Sequence, residues 1–163
     1  MDIKIKSALI SVSDKSGLDL VIKKLHEEEV KLISTGGTAQ FIRDMDIPVT
    51  DVSDITNFPE MMDGRIKTLH PNIHGGLLAV RDNQGHKESQ EEYNIENIDL
   101  LIVNLYPFEN TVHTGAKDEI CVENIDIGGP AMLRSASKNH RYVCVISDIS
   151  DYSNCLLYTS DAA

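Results

Sequence analysis

Two cations and two hydrogen-bonding side chains crowd one short stretch of the chain, Gly64-Arg65-Ile66-Lys67-Thr68-Leu69-His70-Pro71. They stand out because 26 Asp and Glu outnumber 15 Lys and Arg, giving a formal net charge of −11. Arg65, Lys67, Thr68 and His70 in that background suit an anionic ligand or an oxygen that gains negative charge during a reaction. The competing reading is a solvated surface loop. Two other stretches carry donors suited to a phosphate. Ser13 and Lys15 follow one apolar run. Ser34-Thr35-Gly36-Gly37-Thr38 follows another, with hydroxyls and two glycines that let backbone approach an anion closely. Alone, each also reads as a plain strand-to-helix turn, with a hydroxyl such as that of Thr38 as helix cap. Together they form a candidate monophosphate site. The second stretch is neither a P-loop, since no Gly-Lys-Ser/Thr follows it, nor a G-x-G-x-x-G turn.

Asn104 and Tyr106 end an apolar run, Leu100-Leu101-Ile102-Val103, so their side chains are expected at a ligand edge. Asp126 precedes Ile127-Gly128-Gly129 at the start of an expected helix, and Lys138 lies near that helix's end. Asp126 reads equally as an N-cap and Lys138 as a favourable cation in a last turn. His70 and His74 are four apart, but Pro71 separates them and no H-E-x-x-H arrangement exists, so no metal site is expected. Cys121, Cys144 and Cys155 are odd in number and lack C-x-x-C spacing, which argues against a disulfide framework or zinc. No nucleophile elbow and no Cys–His pairing gives covalent hydrolysis a basis.

The elements that must position these residues follow from hydrophobic spacing. Ser7–Val12 has strand length, and Leu18, Val21, Ile22 and Leu25 recur at helical spacing, with Ser16 and Asp19 resembling a capping box, so a helix is expected from near Ser16. Val30–Ser34 is a second strand, followed by a helix through Ala39, Ile42 and Met45, and Val49–Val52 is a short third strand. Residues 57–78 carry Pro59, Gly64, Pro71, Gly75 and Gly76 and predict short helices broken by loops. Gln84–Tyr93 predicts a surface helix, Asp99–Asn104 a buried strand, Lys117–Asn124 a helix, Ile127–Ala136 another, and Tyr142–Ile146 a last strand. Alternating strands of continuous apolar character and helices argue for an α/β fold, a mainly parallel β-sheet flanked by helices in three layers. In such sheets ligands sit at the carboxyl ends of the strands, where the donor stretches fall.

Composition narrows the function classes. The chain has 163 residues, 41% hydrophobic and 25% charged, so one folded domain is expected. Its acidity argues against nucleic acid or anionic membrane as partner. No run approaches the ~20 apolar residues of a membrane span, and the first residues lack a signal-peptide core, so a cytoplasmic location is expected.

Six blocks together resemble a known family: Ser11–Leu18, Ser34–Ala39, Phe58–Pro71, Asn104–Phe108, Ile125–Gly129 and Ser137–His140 look like the inosine monophosphate cyclohydrolase domain. That domain is the N-terminal half of bifunctional purine biosynthesis proteins whose other half is a formyltransferase. The resemblance covers about residues 7–152. It implies a methylglyoxal-synthase-like, Rossmann-like α/β fold. It also implies dehydrative ring closure of formylaminoimidazole carboxamide ribonucleotide, with no cofactor or metal; formyl-tetrahydrofolate would serve only the transformylase domain. Residues 1–152 are then expected to be a cyclohydrolase domain truncated at its C-terminal end, with 153–163 an unassigned tail foreign to it. A homodimer is expected for the full-length protein.

By position, the resemblance makes Lys67 the active-site lysine, a donor to the formyl oxygen, and connects Tyr106 and Asp126 with proton transfer and Lys138 with their charge arrangement. Ser13, Lys15, Thr35, Gly37 and Thr38 match a 5′-phosphate cradle, to which the loop reading adds Ser34 and Gly36. Arg65, Thr68, Asn104, Ile127, Gly128 and Gly129 match positions lining base and ribose. Which group is base and which is acid stays open. Two rivals share the phosphate loop: methylglyoxal synthase, which the lysine and tyrosine blocks fit poorly, and a non-catalytic nucleotide-binding regulatory module, which has no need of proton carriers.

Overall fold

β1 (Ser7–Val12) sends Ala8, Ile10 and Val12 into one buried cluster and Leu9 into another, which explains its unbroken apolar run: both faces of the sheet are covered. β4 (Leu100–Asn104) divides likewise, Leu100 and Ile102 to the first cluster and Leu101 and Val103 to the second. The first cluster is closed by α1 (Leu18–Glu27) through Leu18, Val21, Ile22 and Leu25, and by Ile42 of α2 (Gly36–Arg43). The second is closed by Ile73 and Leu77 of α4 (Pro71–Leu78) and by Met132 and Ala136 of α8 (Gly128–Lys138). Each such large side chain taken from water contributes about 1.5–3 kcal/mol before entropy is charged against it.

The computed structural model describes residues 4–154; Cys155 and residues 156–163 of the expected tail lie outside the described residues. β2 (Lys31–Ser34), β3 (Thr50–Asp51) and β5 (Cys144–Ile146) complete a sheet of five strands ordered β3-β2-β1-β4-β5, every pairing parallel. Helices on both faces make the three-layer α/β fold. α3 (Val52–Thr56), α5 (Gln84–Tyr93), α6 (Phe108–His113) and α7 (Asp118–Glu123) lie between the strands in sequence. The chain steps outward from β1 through β2 to β3, then returns to β1's other side as β4. A crevice opens where the order reverses, beyond the carboxyl ends of β1 and β4.

At the opposite edge Asp99, 5% exposed, locks the start of β4 to β1. Its Oδ2 accepts from the backbone N–H of Lys6 (2.7 Å) and Ser7 (3.0 Å), and Oδ1 pairs with Arg81 at 2.6 Å.

Four local expectations are corrected. α1 begins at Leu18 behind Gly17, and no side chain caps it. Ser16 instead donates its N–H (2.9 Å) and hydroxyl (2.6 Å) to Asp14, an Asx turn that replaces the expected Ser16–Asp19 capping box and holds the Asp14 carboxyl below its usual range. Thr38 does not cap α2 either: its hydroxyl donates to the Val12 carbonyl at 3.0 Å and accepts from the Val12 N–H at 3.2 Å. Val52 opens α3 instead of ending β3, and β5 begins at Cys144, two residues later than expected. Among the described residues no helix is long and apolar enough to cross a membrane.

Candidate functional site

A cavity of about 680 Å³ occupies the crevice, and its walls come from five separate segments. Ser13 and Lys15 leave β1. Thr35, Gly36, Gly37 and Thr38 open α2. Arg65, Lys67 and Thr68 come from the irregular stretch before α4. Asn104 and Tyr106 leave β4, and Asp126, Ile127, Gly128 and Gly129 open α8. Two expected site residues lie elsewhere. Ser34 is fully buried and donates to the Ile10 carbonyl at 2.7 Å. Lys138 is exposed in the last turn of α8, about 15 Å along the axis from Gly128 at 1.5 Å per residue, and is not in the cavity wall.

The α2 terminus gathers positive charge. Gly36 and Gly37 begin the helix, whose first N–H groups lack intrahelical acceptors. A Cβ built on Gly36 would lie 3.0 Å from the Lys67 ammonium, and one on Gly37 3.9 Å from that of Lys15. Two ammonium groups at the positive end of a helix dipole make this a favourable place for a bound anion. The Thr35 hydroxyl makes no capping bond.

Around this point the wall is tightly constrained. Asn104 Oδ1 accepts from the Ser13 N–H (2.7 Å), the Ser13 hydroxyl (3.2 Å) and the Asp14 N–H (3.0 Å), while Nδ2 donates to the Asp14 carbonyl (2.7 Å). Its amide therefore shapes the first donor loop. Thr68, 5% exposed, sets its hydroxyl 2.7 Å from where a Cβ on Gly128 would stand. Asp126 Oδ1 accepts the Gly129 N–H at 2.8 Å, so it supports the start of α8 although Ile127 is the formal cap. A Cβ on Gly129 would come within 2.5 Å of the Asp126 carboxylate and 2.6 Å of Leu105, so any larger residue must push both side chains aside. Tyr106 is 53% exposed.

Carboxylates hold two of the cations. Glu60 pairs with Lys67 at 2.7 Å, and Glu123 of α7 pairs with Arg65. Neither acid was assigned a role from sequence. Glu60 sits in the Phe58–Pro71 block, but Glu123 lies in a short helix with no chemical signature. Val122, Ile125 and Met132 add apolar wall that sequence reading likewise missed. The histidine pair is structural: His70 Nδ1 accepts the Asn72 N–H at 3.2 Å as cap of α4, and His74 Nδ1 meets the Ser135 hydroxyl at 2.8 Å. Burial pulls the His74 pKa down. Among the described residues no group of three or more His, Cys, Asp or Glu is placed to hold a metal.

A family model described as the MGS-like domain matches residues 17–131, a span that includes the α2 terminus, the Arg65–Thr68 segment and the start of α8. The chain belongs to the MGS-like domain family. MGS-like relatives include the bifunctional purine biosynthesis protein PurH of Parvibaculum lavamentivorans, 61% identical over 150 residues that make up 92% of this chain and 28% of that protein. PurH of Dinoroseobacter shibae is 56% identical over 94% of this chain and 29% of its own length. This MGS-like chain therefore spans under a third of the curated relatives it matches. Among solved structures, that of ForH superposes with a TM-score of 0.81 at 32% identity, covering 96% of this chain and 79% of that one.

Proposed function

We propose that this domain closes the purine ring of formylaminoimidazole carboxamide ribonucleotide to give inosine monophosphate. The observation that carries the reading is the pair of ammonium groups, Lys15 and Lys67, over the amino end of α2 in a cavity large enough for a nucleotide. The likeness to PurH proteins supports a purine precursor as the ligand.

In the reaction the carboxamide nitrogen attacks the formyl carbon, a C–N bond forms, the formyl C–O bond breaks, and the oxygen leaves as water with one proton from the carboxamide nitrogen and one from the formamido nitrogen. The 5′-phosphate takes Lys15, Thr35 and the N–H groups at Gly36, Gly37 and Thr38, while Ser13, bonded to Asn104 and the Leu105 carbonyl, sets the course of the first donor loop. Lys67 donates to the formyl oxygen as charge collects there. Tyr106 and Asp126, across the start of α8, carry the proton from the nitrogen and toward the departing oxygen. Arg65, Thr68, Ile127, Gly128 and Gly129 shape the base and ribose walls, Asn104 holds the Ser13–Lys15 loop at the phosphate end, and fixing both ends of one substrate supplies much of the acceleration. The chemistry needs neither metal nor organic cofactor, and a cytoplasmic site of action fits a purine precursor.

A second copy of the chain is the proposed partner. α6 and α7 pack on each other and leave Phe108, Val112, Ile120 and Val122 exposed, an apolar surface suited to self-association. Light scattering on the purified protein should give twice the chain mass.

The functional test offers the chain formylaminoimidazole carboxamide ribonucleotide and, separately, dihydroxyacetone phosphate. Inosine monophosphate from the first and no methylglyoxal from the second supports the reading. Methylglyoxal, or nucleotide binding without turnover, replaces it with one of the two rivals.

A further inference from the structure

Glu60 lies outside every role assigned above, yet its surroundings are built around it. A narrow hairpin brings it to Lys67: Met61 and Ile66 form an antiparallel bridge, and the Gly64 N–H donates to the Met61 carbonyl at 3.1 Å. Glu60 and Lys67 flank that bridge on opposite arms, and their charged ends meet at 2.7 Å. Gly64, at φ +85°, leaves room for the carboxylate; a Cβ there would stand 2.7 Å from Glu60 Oε1. Gly36, at φ +54°, leaves room for the ammonium. Two glycines in the left-handed region, from separate segments, thus open the space in which one ion pair sits.

The pair lies in the wall between the main cavity and a smaller recess of about 50 Å³ bordered by Ser53, Phe58 and His70, and Lys67 is the more enclosed partner, with side-chain exposures of 22% and 48%. An ammonium has three donors and a flexible four-carbon stem. Unrestrained, Lys67 would be free to turn wholly onto the phosphate beside Lys15, since both ammonium groups overhang the same helix end.

From this geometry we infer that Glu60 is a positioning residue for the ring closure: it takes one donor of Lys67 and holds the ammonium so that its remaining donors face the reacting oxygen instead of the phosphate. The inference rests on the cyclohydrolase reading. Glu60 does not touch the reacting atoms, and no proton moves through it.

The test measures kcat and KM for cyclisation in the parent protein, in Glu60→Gln, Glu60→Asp and Lys67→Ala, and in the double variant Glu60→Gln/Lys67→Ala, with circular dichroism on each. Glu60→Gln is expected to lower kcat about 10- to 100-fold with KM shifted less than about threefold, because misplacing one group by an ångström costs about that much. Glu60→Asp should recover part of the loss, and Glu60→Gln should cost nothing further where Lys67 is already alanine. Parental kcat in Glu60→Gln, or a full additional loss in the double variant, would overturn the role of Glu60 while leaving the cyclohydrolase reading intact. A folded parent that binds the nucleotide without turnover would overturn both.

Discussion

Asn104, the last residue of β4, grips the backbone of Ser13, the first residue after β1, at 2.7 Å. Parallel pairing sets Val12 opposite Asn104, so the sheet register itself delivers this amide to the neighbouring loop. The four hydrogen bonds of the Asn104 side chain to Ser13 and Asp14 fix the direction in which Ser13 and Lys15 enter the crevice.

Asn104→Leu should therefore loosen the phosphate end without unfolding the sheet. The dissociation constant for inosine monophosphate is expected to rise about tenfold, equivalent to about 1.4 kcal/mol, with little change in affinity for inosine lacking the phosphate. Isothermal titration with both ligands checks this.

Gly129→Ala places a methyl group against Asp126 and Leu105, which must both move. Expected is a loss of at least about tenfold in kcat/KM with circular dichroism unchanged, since the displaced carboxylate borders the cavity and not the core.

Much of this was legible in the sequence because local and long-range signals agreed. β1, α5 and the order of βα units could be read from spacing, as continuous apolar runs between polar turns have few other uses in an α/β fold. Residues that leave the strand ends, such as Ser13, Asn104 and Tyr106, reached the cavity because topology alone puts them there. What could not be read was the choice among hydroxyl partners. Ser16 has Asp14 two residues before it and Asp19 three after, and Gly17, with φ +70°, settles the contest for the Asx turn. Ser34 and Thr38 look like phosphate donors in sequence, but their hydroxyls bond the β1 backbone, a partner 24 or 26 residues away. Lys138 shares a helix with Gly128 in sequence, yet a helix of 11 residues separates its two ends. Glu60 and Glu123 became visible only once a hairpin and α7 had brought them to their cations.

Asp99→Ala removes the acceptor shared by Lys6 and Ser7 and strands Arg81 in a largely buried position. A loss of about 3–5 kcal/mol is expected in urea denaturation, as for other broken buried pairs, with the midpoint moved and the slope kept. No such loss should follow Glu96→Gln, whose partner Lys31 is exposed.

His74 gives the stability a pH dependence. Burial between α4 and α8 depresses its folded pKa below the ordinary value of about 6.5, so at acid pH the unfolded chain binds a proton that the folded one refuses. The sign is fixed: this contribution is fully present above about pH 6.5 and is lost as pH falls from there toward the folded pKa. Melting temperature should drop between pH 7 and 5 in the parent and drop less in His74→Asn. Equal slopes in the two proteins would refute the assignment.

In the proposed reaction Lys67 acts on the formyl oxygen of a phosphate-anchored substrate. The most direct measurement is ultraviolet absorbance on mixing the purified chain, or its Lys67→Ala variant, with saturating formylaminoimidazole carboxamide ribonucleotide. That role predicts inosine monophosphate from the parent and a fall of at least about a hundredfold in kcat for Lys67→Ala, with nucleotide binding retained through Lys15 and the α2 terminus. Ring closure by Lys67→Ala at the parental rate would contradict it.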